Sequence, residues 1–537
     1  MQEEIKKAVD FVISEGARFA DIRLEKGYAT TLELRDGVFR EMSYGIDEGV
    51  GVRVLYKNSW GFSSSNELSK PRIKAAFEDA LRVGRALSLS KSEKLESEKL
   101  ESEKLESEKS ELEKKREEEA VKMAGAKPRS DHFKLKPKIN PEDVSVEEKK
   151  RLVKAAYKAA TQHSPLVKSV SILYLDGYEE KTYADSEGCF VVTEMPAVFL
   201  RVRVVAKKGS VLQEGVESVG AVAGFEVVAE EGEAAEGVAA KGVAAKGVAA
   251  KGEAAKGVAA EGVAAEGNPE VVGVKAADKA VRLLDAEQPP AGEFPVIMDS
   301  KLTGVFMHEA LGHAAEADHV LCGESILKDK LGEQVAYEGL TVADDPTVAG
   351  SHGYYKYDDE GLRARRTEII KNGVLVSYLH TRETAGRLEA TPTANARAAD
   401  YSEVPLVRMS NTVVEAGSRA GAGRGWSFEE MLEGVRFGIY AKGMRGGQVD
   451  TVRGEFQFSA EEAFLIEKGR LTKRLKNVSL SGRTLEVLKE IDAVGQEKKR
   501  GSIGFCGKDG QEVPVSEFAP HVRVKRILVG GAAAGGS

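Results

Sequence analysis

Cysteine is scarce in this 537-residue chain: there are three, Cys189, Cys322 and Cys506, far apart in sequence. So few and so scattered, they exclude a disulfide framework. Long apolar runs are missing as well, and none reaches the ~20 residues that a membrane-spanning helix needs. The opening MQEEIKKAVDFVISEGA is an amphipathic helix pattern whose apolar stretch is broken by charge, unlike a signal peptide. The expectation from these absences is a soluble cytoplasmic protein with no membrane partner. An excess of one charge is also lacking where it would matter. The formal net charge is −8, but residues 91–119 hold 8 Lys/Arg against 12 Glu and residues 230–266 hold 4 Lys against 7 Glu. These tracts contribute −4 and −3 and leave the rest near −1. Nothing in that balance supports binding to nucleic acid or to an anionic membrane surface.

What is present is enough chain for two or three cores. Residues 1–88 read as a small α/β unit: a helix over 2–16, strands at 20–25, 30–34, 38–43, 50–56 and 61–65, and a helix over 67–87. Asp36-Gly37 and Lys57-Asn58 supply the turns. Residues 89–125 form a charged insertion repeating S-E-K-L-E, whose leucines recur every five residues and so spiral around a helix without lining a seam. Residues 126–228 read as a second α/β unit, with a helix over 146–161 and strands at 170–175, 180–185, 190–195 and 198–207. Asp176-Gly177 and Glu187-Gly188 are its expected turns. Residues 229–267 repeat G-V-A-A-K/E, a second insertion unable to form a core. A connecting helix within 268–290 then leads to a C-terminal domain, 291–537, with most of its strands. The overall expectation is an α+β chain. Its N-terminal α/β units precede a sheet-rich domain of curved, partly barrel-like antiparallel sheets around a buried helix that carries a metal motif.

That motif is MHEALGH, residues 307–313. Two histidines, His308 and His313, stand with Glu309 directly after the first. Neutral imidazoles hold Zn²⁺, and a carboxylate beside the metal takes a proton from water. The spacing is H-E-x-x-x-H, not H-E-x-x-H. On a regular α-helix, five residues at ~100° each leave the two side chains ~140° apart. One metal therefore reaches both only if the helix ends, tightens or bulges between them, and Gly312 is the residue expected to tolerate the distortion. A catalytic zinc usually takes a third protein ligand. From the residues alone the candidates are Cys506, Glu316, Asp318, His319, His352 and His380. Cys506 is read in a glycine-flanked turn, GFCGK.

Longer stretches then carry a resemblance. MHEALGH with AEADH, SHGYYKYDDEGLRARRTEIIKNGVLVSYLHTRETA, TPTANARAADY, PLVRMSNTVVEAG and GFCGKDGQEVPV follow in that order. Together they resemble the TldD branch of the TldD/PmbA (TldE) metallopeptidases. The resemblance spans nearly all of the C-terminal region and, more loosely, the two N-terminal units. It implies zinc held by His308, His313 and Cys506, with Glu309 as general base. It implies cleavage of short or unfolded peptides within a closed dimer, the second subunit being another copy or a TldE-like chain. The TldE-like branch lacks the metal motif, which is intact here. The repeats at 91–119 and 230–266 depart from the family pattern.

His380, Tyr355 and Arg397 are further candidates for contacts to the ligands, the substrate or the developing oxyanion. Extended peptide is the expected substrate, since an added strand on a sheet edge gives affinity with little sequence demand. The rival readings are a zinc amidase acting on a non-peptide amide and a non-catalytic partner subunit. An oxidoreductase is disfavoured, because Gly421, Gly423 and Gly425 do not form a G-x-G-x-x-G turn between strand and helix.

Overall fold

The computed structural model describes residues 2–102, 121–229, 267–419 and 423–531. The 230–266 repeat, residues 103–120 of the charged insertion and Gly421 lie outside them. Helix α1 (Gln2–Ser14) leads into strand β1 (Phe19–Arg35), and β1 pairs along its whole length with β2 (Val38–Tyr56). The connecting turn is at Asp36-Gly37, where both residues have positive φ, as the sequence signals. After β3 (Ser59–Ser65), helix α2 runs from Lys70 to Ser102, into the charged insertion. Next come β4 (Ser130–Lys134), α3 (Val146–Gln162), β5 (Val167–Asp185), β6 (Phe190–Lys208), β7 (Val211–Ala221) and α4 (Pro269–Leu283).

Strands β1 and β5 pair antiparallel from Asp21↔Asp185 to Arg35↔Ser171, so these strands belong to one 7-stranded sheet. Helices α1 and α2 cover one end of it around Val52, Val54 and Phe77. Helices α3 and α4 cover the other end around Ile172, Tyr174 and Val202. The expected turn at Asp176-Gly177 does not exist; both residues lie within β5. Asp176 is buried and ion-paired to Lys149 at 2.7 Å. Gly177 is where a Cβ would fall 2.7 Å from the carbonyl oxygen of Tyr28 on β1. The glycine makes room between strands and turns nothing.

The C-terminal region starts with β8 (Gly292–Met298) and α5 (Ser300–Met307). The short strands β9 (Val342–Asp344), β10 (Thr367–Lys371), β11 (Val374–Leu375), β12 (Ala396–Arg397), β13 (Leu406–Val407) and β14 (Asn411–Val414) follow. Then come β15 (Phe437–Asp450), β16 (Glu455–Glu467), β17 (Arg470–Leu475), β18 (Val478–Arg483), β19 (Ile491–Val494), β20 (Lys499–Lys508), β21 (Gln511–Ala519) and β22 (Val522–Gly531). Strands β15-β8-β22-β18-β16 close into a barrel through the β15–β16 pairing. A second sheet has the order β11-β10-β9-β14-β21-β20. The expected α+β class, with a partly closed C-terminal sheet around a buried helix, is what the chain adopts. Residues 479–491 are strand as well as helix: β18 yields at Thr484 to a helix that ends at Glu490.

Helix α5 lies between barrel and second sheet. Asp299 caps it, accepting from Leu302 N at 2.8 Å, and also accepts from Gly443 N on β15 at 2.9 Å. Phe306 is buried edge-on to Phe456 and Phe458 of β16, at 5.2 and 6.0 Å. Burial of one such ring stabilises the packing by about 1.5–3 kcal/mol. The N-terminal sheet docks on this region through buried charge. Arg53 of β2 pairs with Asp21 of β1 and, at 3.2 Å, with Glu360. Lys181 of β5 meets Asp359 at 2.9 Å, and Arg382 reaches Asp185 at 3.4 Å. Asp359, Glu360 and Arg382 thus supply part of the C-terminal region's contact with the first sheet.

Candidate metal centre

The helix changes pitch at the motif. After Met307 the α-helix becomes a single π-turn, His308–Gly312, closed by a hydrogen bond from His313 N to His308 O. A five-residue repeat brings side chains at i and i+5 to the same face, the distortion that H-E-x-x-x-H requires. A 3₁₀ turn, His313–Ala315, ends the element. Gly312 serves this differently from the expectation. Its backbone is ordinary helix, φ −59° and ψ −51°. A Cβ there would fall 1.9 Å from Met409 Sδ, so the glycine supplies space for close packing, not a special torsion.

The rings of His308 and His313 stand 5.3 Å apart at 86°. Cys506 Sγ lies 3.4 Å from His313 Nε2. One donor atom from each of the three residues falls within 4.8 Å of the others. The thiol comes from β20, not from a turn; the turn follows at Asp509-Gly510, where φ is positive at both residues. Each histidine has its other nitrogen occupied. His308 Nδ1 lies 3.2 Å from Thr412 Oγ1 on β14, and His313 Nδ1 lies 3.1 Å from Glu316 Oε2. That pattern leaves Nε2 of each ring for an ion and fixes the ring orientation.

The electrostatics fit a cation. Burial pushes the Cys506 thiol up, but His308 and His313 outweigh it and bring it down to about 4. Burial pushes His308 down, yet Cys506 and then Glu309 raise it to about 9. Both shifts arise because the thiol and the imidazoles, with their protons, stand side by side. Binding of an ion would displace those protons, as expected for ligands that must be deprotonated. A soft thiolate with two imidazoles suits zinc and disfavours Mg²⁺. Glu309 is partly exposed, with Oε2 3.8 Å from His313 Nε2.

A second group, Glu316, Asp318 and His319, also has metal-like spacing. Lys508 already fills it. Its Nζ lies 3.1 Å from Glu316 Oε2 and 2.7 Å from Asp318 Oδ2. An ammonium in that position repels a further cation, so these residues form an ion-pair network behind His313. Burial raises the Glu316 carboxyl, but His313 and Lys508 hold it at about 2.

The remaining candidates stand apart from the three donors. His352 is buried, its two ring nitrogens without a hydrogen-bond partner among the described residues, stacked on Phe199 at 5.4 Å and edge-on to Phe505 at 5.1 Å. His380 Nδ1 lies 3.2 Å from Thr384 Oγ1, at the start of a short helix. Tyr355 donates to Ala394 O at 2.7 Å, and Arg397 donates to Met409 O and Pro514 O at 2.7 and 2.9 Å. The Arg397 guanidinium lies over the Tyr355 ring at 5.2 Å. Both line a cleft of about 600 Å³, which Val513, the cross-strand partner of Cys506, also lines. Three contributors escaped the sequence reading. Thr412 and Lys508 carry no local signal. Arg408 is fully buried in the PLVRMSNT stretch, donating to the Cys506 carbonyl and, at 3.1 Å, to Gln511 O.

Three family models match: the PmbA/TldA metallopeptidase domain 1 over residues 20–84, the central domain over 139–284 and the C-terminal domain over 291–531. A metalloprotease of Methanocaldococcus jannaschii is 41% identical over 505 residues, 94% of this chain and 95% of its own length. A zinc metalloprotease TldD homolog of Saccharolobus solfataricus is 28% identical over 99% of this chain and 100% of its own. The crystal structure of TldE from Thermococcus kodakarensis superposes with a TM-score of 0.67 at 16% identity, covering 98% of this chain and 100% of that one.

Proposed function

The chain belongs to the PmbA/TldD metallopeptidase family, and from its donor cluster we propose that it uses zinc to hydrolyse peptide bonds in short or unfolded polypeptides. The observation that carries the zinc assignment is the π-turn, which brings His308 and His313 onto one face opposite the Cys506 sulfur.

In this reading His308, His313 and Cys506 hold the ion. Held there, zinc would supply acidification of a water molecule and polarisation of the scissile carbonyl. Thiolate coordination offsets part of its charge, so the ion is a weaker Lewis acid than one held by three imidazoles. Glu309 accepts the proton of the attacking water and returns it to the leaving amine. Thr412 and Glu316 hold the two imidazoles in the tautomer that presents Nε2. The chain acts in the cytoplasm as half of a dimer, with a second copy or a TldE-like chain as its other half. Among the described residues no helix is long and apolar enough to cross a membrane.

The test pairs metal content with release of new α-amines from an unfolded protein. Wild type should hold about one zinc per chain and release amines. Cys506→Ala should lose most of its zinc, and Glu309→Gln should keep the metal while losing about 10²–10⁴-fold in rate. Full zinc in Cys506→Ala would remove the thiol from the site. Zinc-loaded wild type that cleaves only non-peptide amides would make the enzyme an amidase.

A further inference from the structure

A cavity of about 510 Å³ opens between the central sheet and the C-terminal region. Strands β6 and β7 and helix α4 form one wall. The first turn of α5, the β15 bulge at Met444–Gly446 and the start of β20 form the other. Seven cationic side chains line it against three carboxylates. Those carboxylates are already neutralised. Glu214 pairs with Arg203 at 2.7 Å, Glu217 with Lys279 and Lys301 at 2.9 and 3.0 Å, and Glu461 with Lys279.

What remains is surplus positive charge. Arg201, Lys275 and Arg445 meet no carboxylate at ion-pair distance among the described residues. Arg201 is half-buried; its Nε donates to Ser218 Oγ at 3.2 Å and its guanidinium lies over Phe199 at 5.1 Å. Burial lowers its pKa, and Glu512 acts on it only at longer range. A desolvated guanidinium without an acid is costly, and such charges are normally paired. Concave basic walls also concentrate anions.

The position says which anion. Lys301 lies seven residues before His308 on one continuous helical element, about 10 Å along the axis. Ile503 lies three residues before Cys506 on β20, again about 10 Å. An extended peptide crosses that span in about three residues. We propose that this cavity is an oxyanion site that takes the carboxylates of an acidic peptide segment, about three residues from the scissile bond. The choice of occupant rests on the peptidase reading above; the oxyanion chemistry does not.

Two fluorogenic peptides decide the occupant, identical except for a Glu-Glu-Glu or Gln-Gln-Gln block placed three residues from the cleavage point, on each side in turn. Benzene-1,3,5-tricarboxylate, followed by calorimetry, is the free oxyanion probe. Zinc-loaded wild type is compared with Arg201→Gln/Arg445→Gln, whose melting curve reports its folding. In wild type, kcat/KM for the acidic peptide should exceed that for the neutral one at least tenfold, through KM, with the block on one side only. The ratio should collapse toward one in the double variant and at high salt, and tricarboxylate binding should weaken in parallel. Equal cleavage of both peptides by wild type, with tricarboxylate binding still sensitive to the variant, would overturn the peptide occupant in favour of a free oxyanion. Equal cleavage with no such sensitivity would overturn the site altogether while leaving the peptidase reading standing. If neither peptide is cut, that reading fails instead, and calorimetry alone decides whether the cavity binds oxyanions.

Discussion

Glu316→Gln tests the idea that the buried network behind His313 sets metal affinity. The wild-type carboxylate is fully buried, with Oε2 3.1 Å from His313 Nδ1 and 3.1 Å from Lys508 Nζ. Glutamine preserves the shape, and its amide oxygen can still accept from both partners, but it carries no charge. His313 then loses the anion that makes its Nε2 basic, and Lys508 is left to Asp318. A carboxylate behind a metal-binding histidine is typically worth 10–100-fold in affinity, about 1.4–2.7 kcal/mol. The assay is competition for zinc against a chromophoric chelator at neutral pH, with far-UV circular dichroism as a folding control. Zinc affinity should fall within that range while the fold persists. Asp318→Asn, which touches Lys508 but not His313, should cost distinctly less. A folded Glu316→Gln protein with wild-type zinc affinity would refute the reasoning, since it would make the Glu316–Lys508–Asp318 cluster purely structural.

Other perturbations probe the frame of the site. Burial, with Arg500, Arg397 and Arg201 nearby, pushes His352 down to about 3. A histidine kept neutral in the fold binds fewer protons than the unfolded chain below pH 6.5, so its stabilising effect is full above that pH and is lost on acidification, by about 1.4 kcal/mol per unit. His352→Phe, a ring among rings, should flatten that acid limb, gaining about 3 kcal/mol on wild type between neutral pH and about pH 4.5; parallel urea titrations at several pH values give the answer, and identical slopes would contradict it. Gly312→Ala forces Met409 to move and should cost about 1–3 kcal/mol, with weakened zinc binding as the π-turn is pinched; an unchanged denaturation midpoint would count against the packing role. Arg53→Met strips a buried cation from Asp21 and Glu360 and should destabilise by about 3–5 kcal/mol. Its signature is early loss of the docking between N-terminal sheet and C-terminal region, seen by limited proteolysis before global unfolding.

The histidine spacing was the most legible feature of the sequence. Ligands five positions apart cannot sit on one face of a regular helix, so a distortion followed from geometry alone, and the π-turn at His308–Gly312 is that distortion. Cys506 was not legible in this way. It is 193 residues from His313 and comes from a strand instead of the motif helix, so no spacing rule connects them; the family resemblance made the link. Thr412 and Lys508 were out of reach for the same reason. Their roles exist only because β14 runs parallel to β21 and the β20–β21 hairpin returns beside the helix. The ion pairs joining the first sheet to residues 359–382 were hidden too, because a charged residue in a polar loop reads as solvent-facing until its partner arrives.

Glycine misled most consistently, and the reason is physical. A glycine marks either a torsion that other residues resist or a place where no side chain fits, and the sequence alone does not separate them. At Gly37 the torsion explanation holds, with positive φ in a hairpin turn, whereas Gly373 combines positive φ with a lack of room, a Cβ there falling 2.5 Å from Ala336 O. At Gly177 and Gly312 the space explanation holds. A carbonyl of β1 occupies the first site and the Met409 sulfur the second. Neighbouring residues carry a clue that could have been used. The hairpin glycines each follow an exposed polar residue, Asp36 or Asn372, whereas Gly177 precedes Tyr178, whose ring stacks against Tyr28 of the adjacent strand at 6.4 Å. An aromatic beside a strand glycine covers the bare backbone of its neighbour. Read that way, Asp176-Gly177 becomes a mid-strand crossing point, and the two half-strands around it join into the single β5 on which β1 is built.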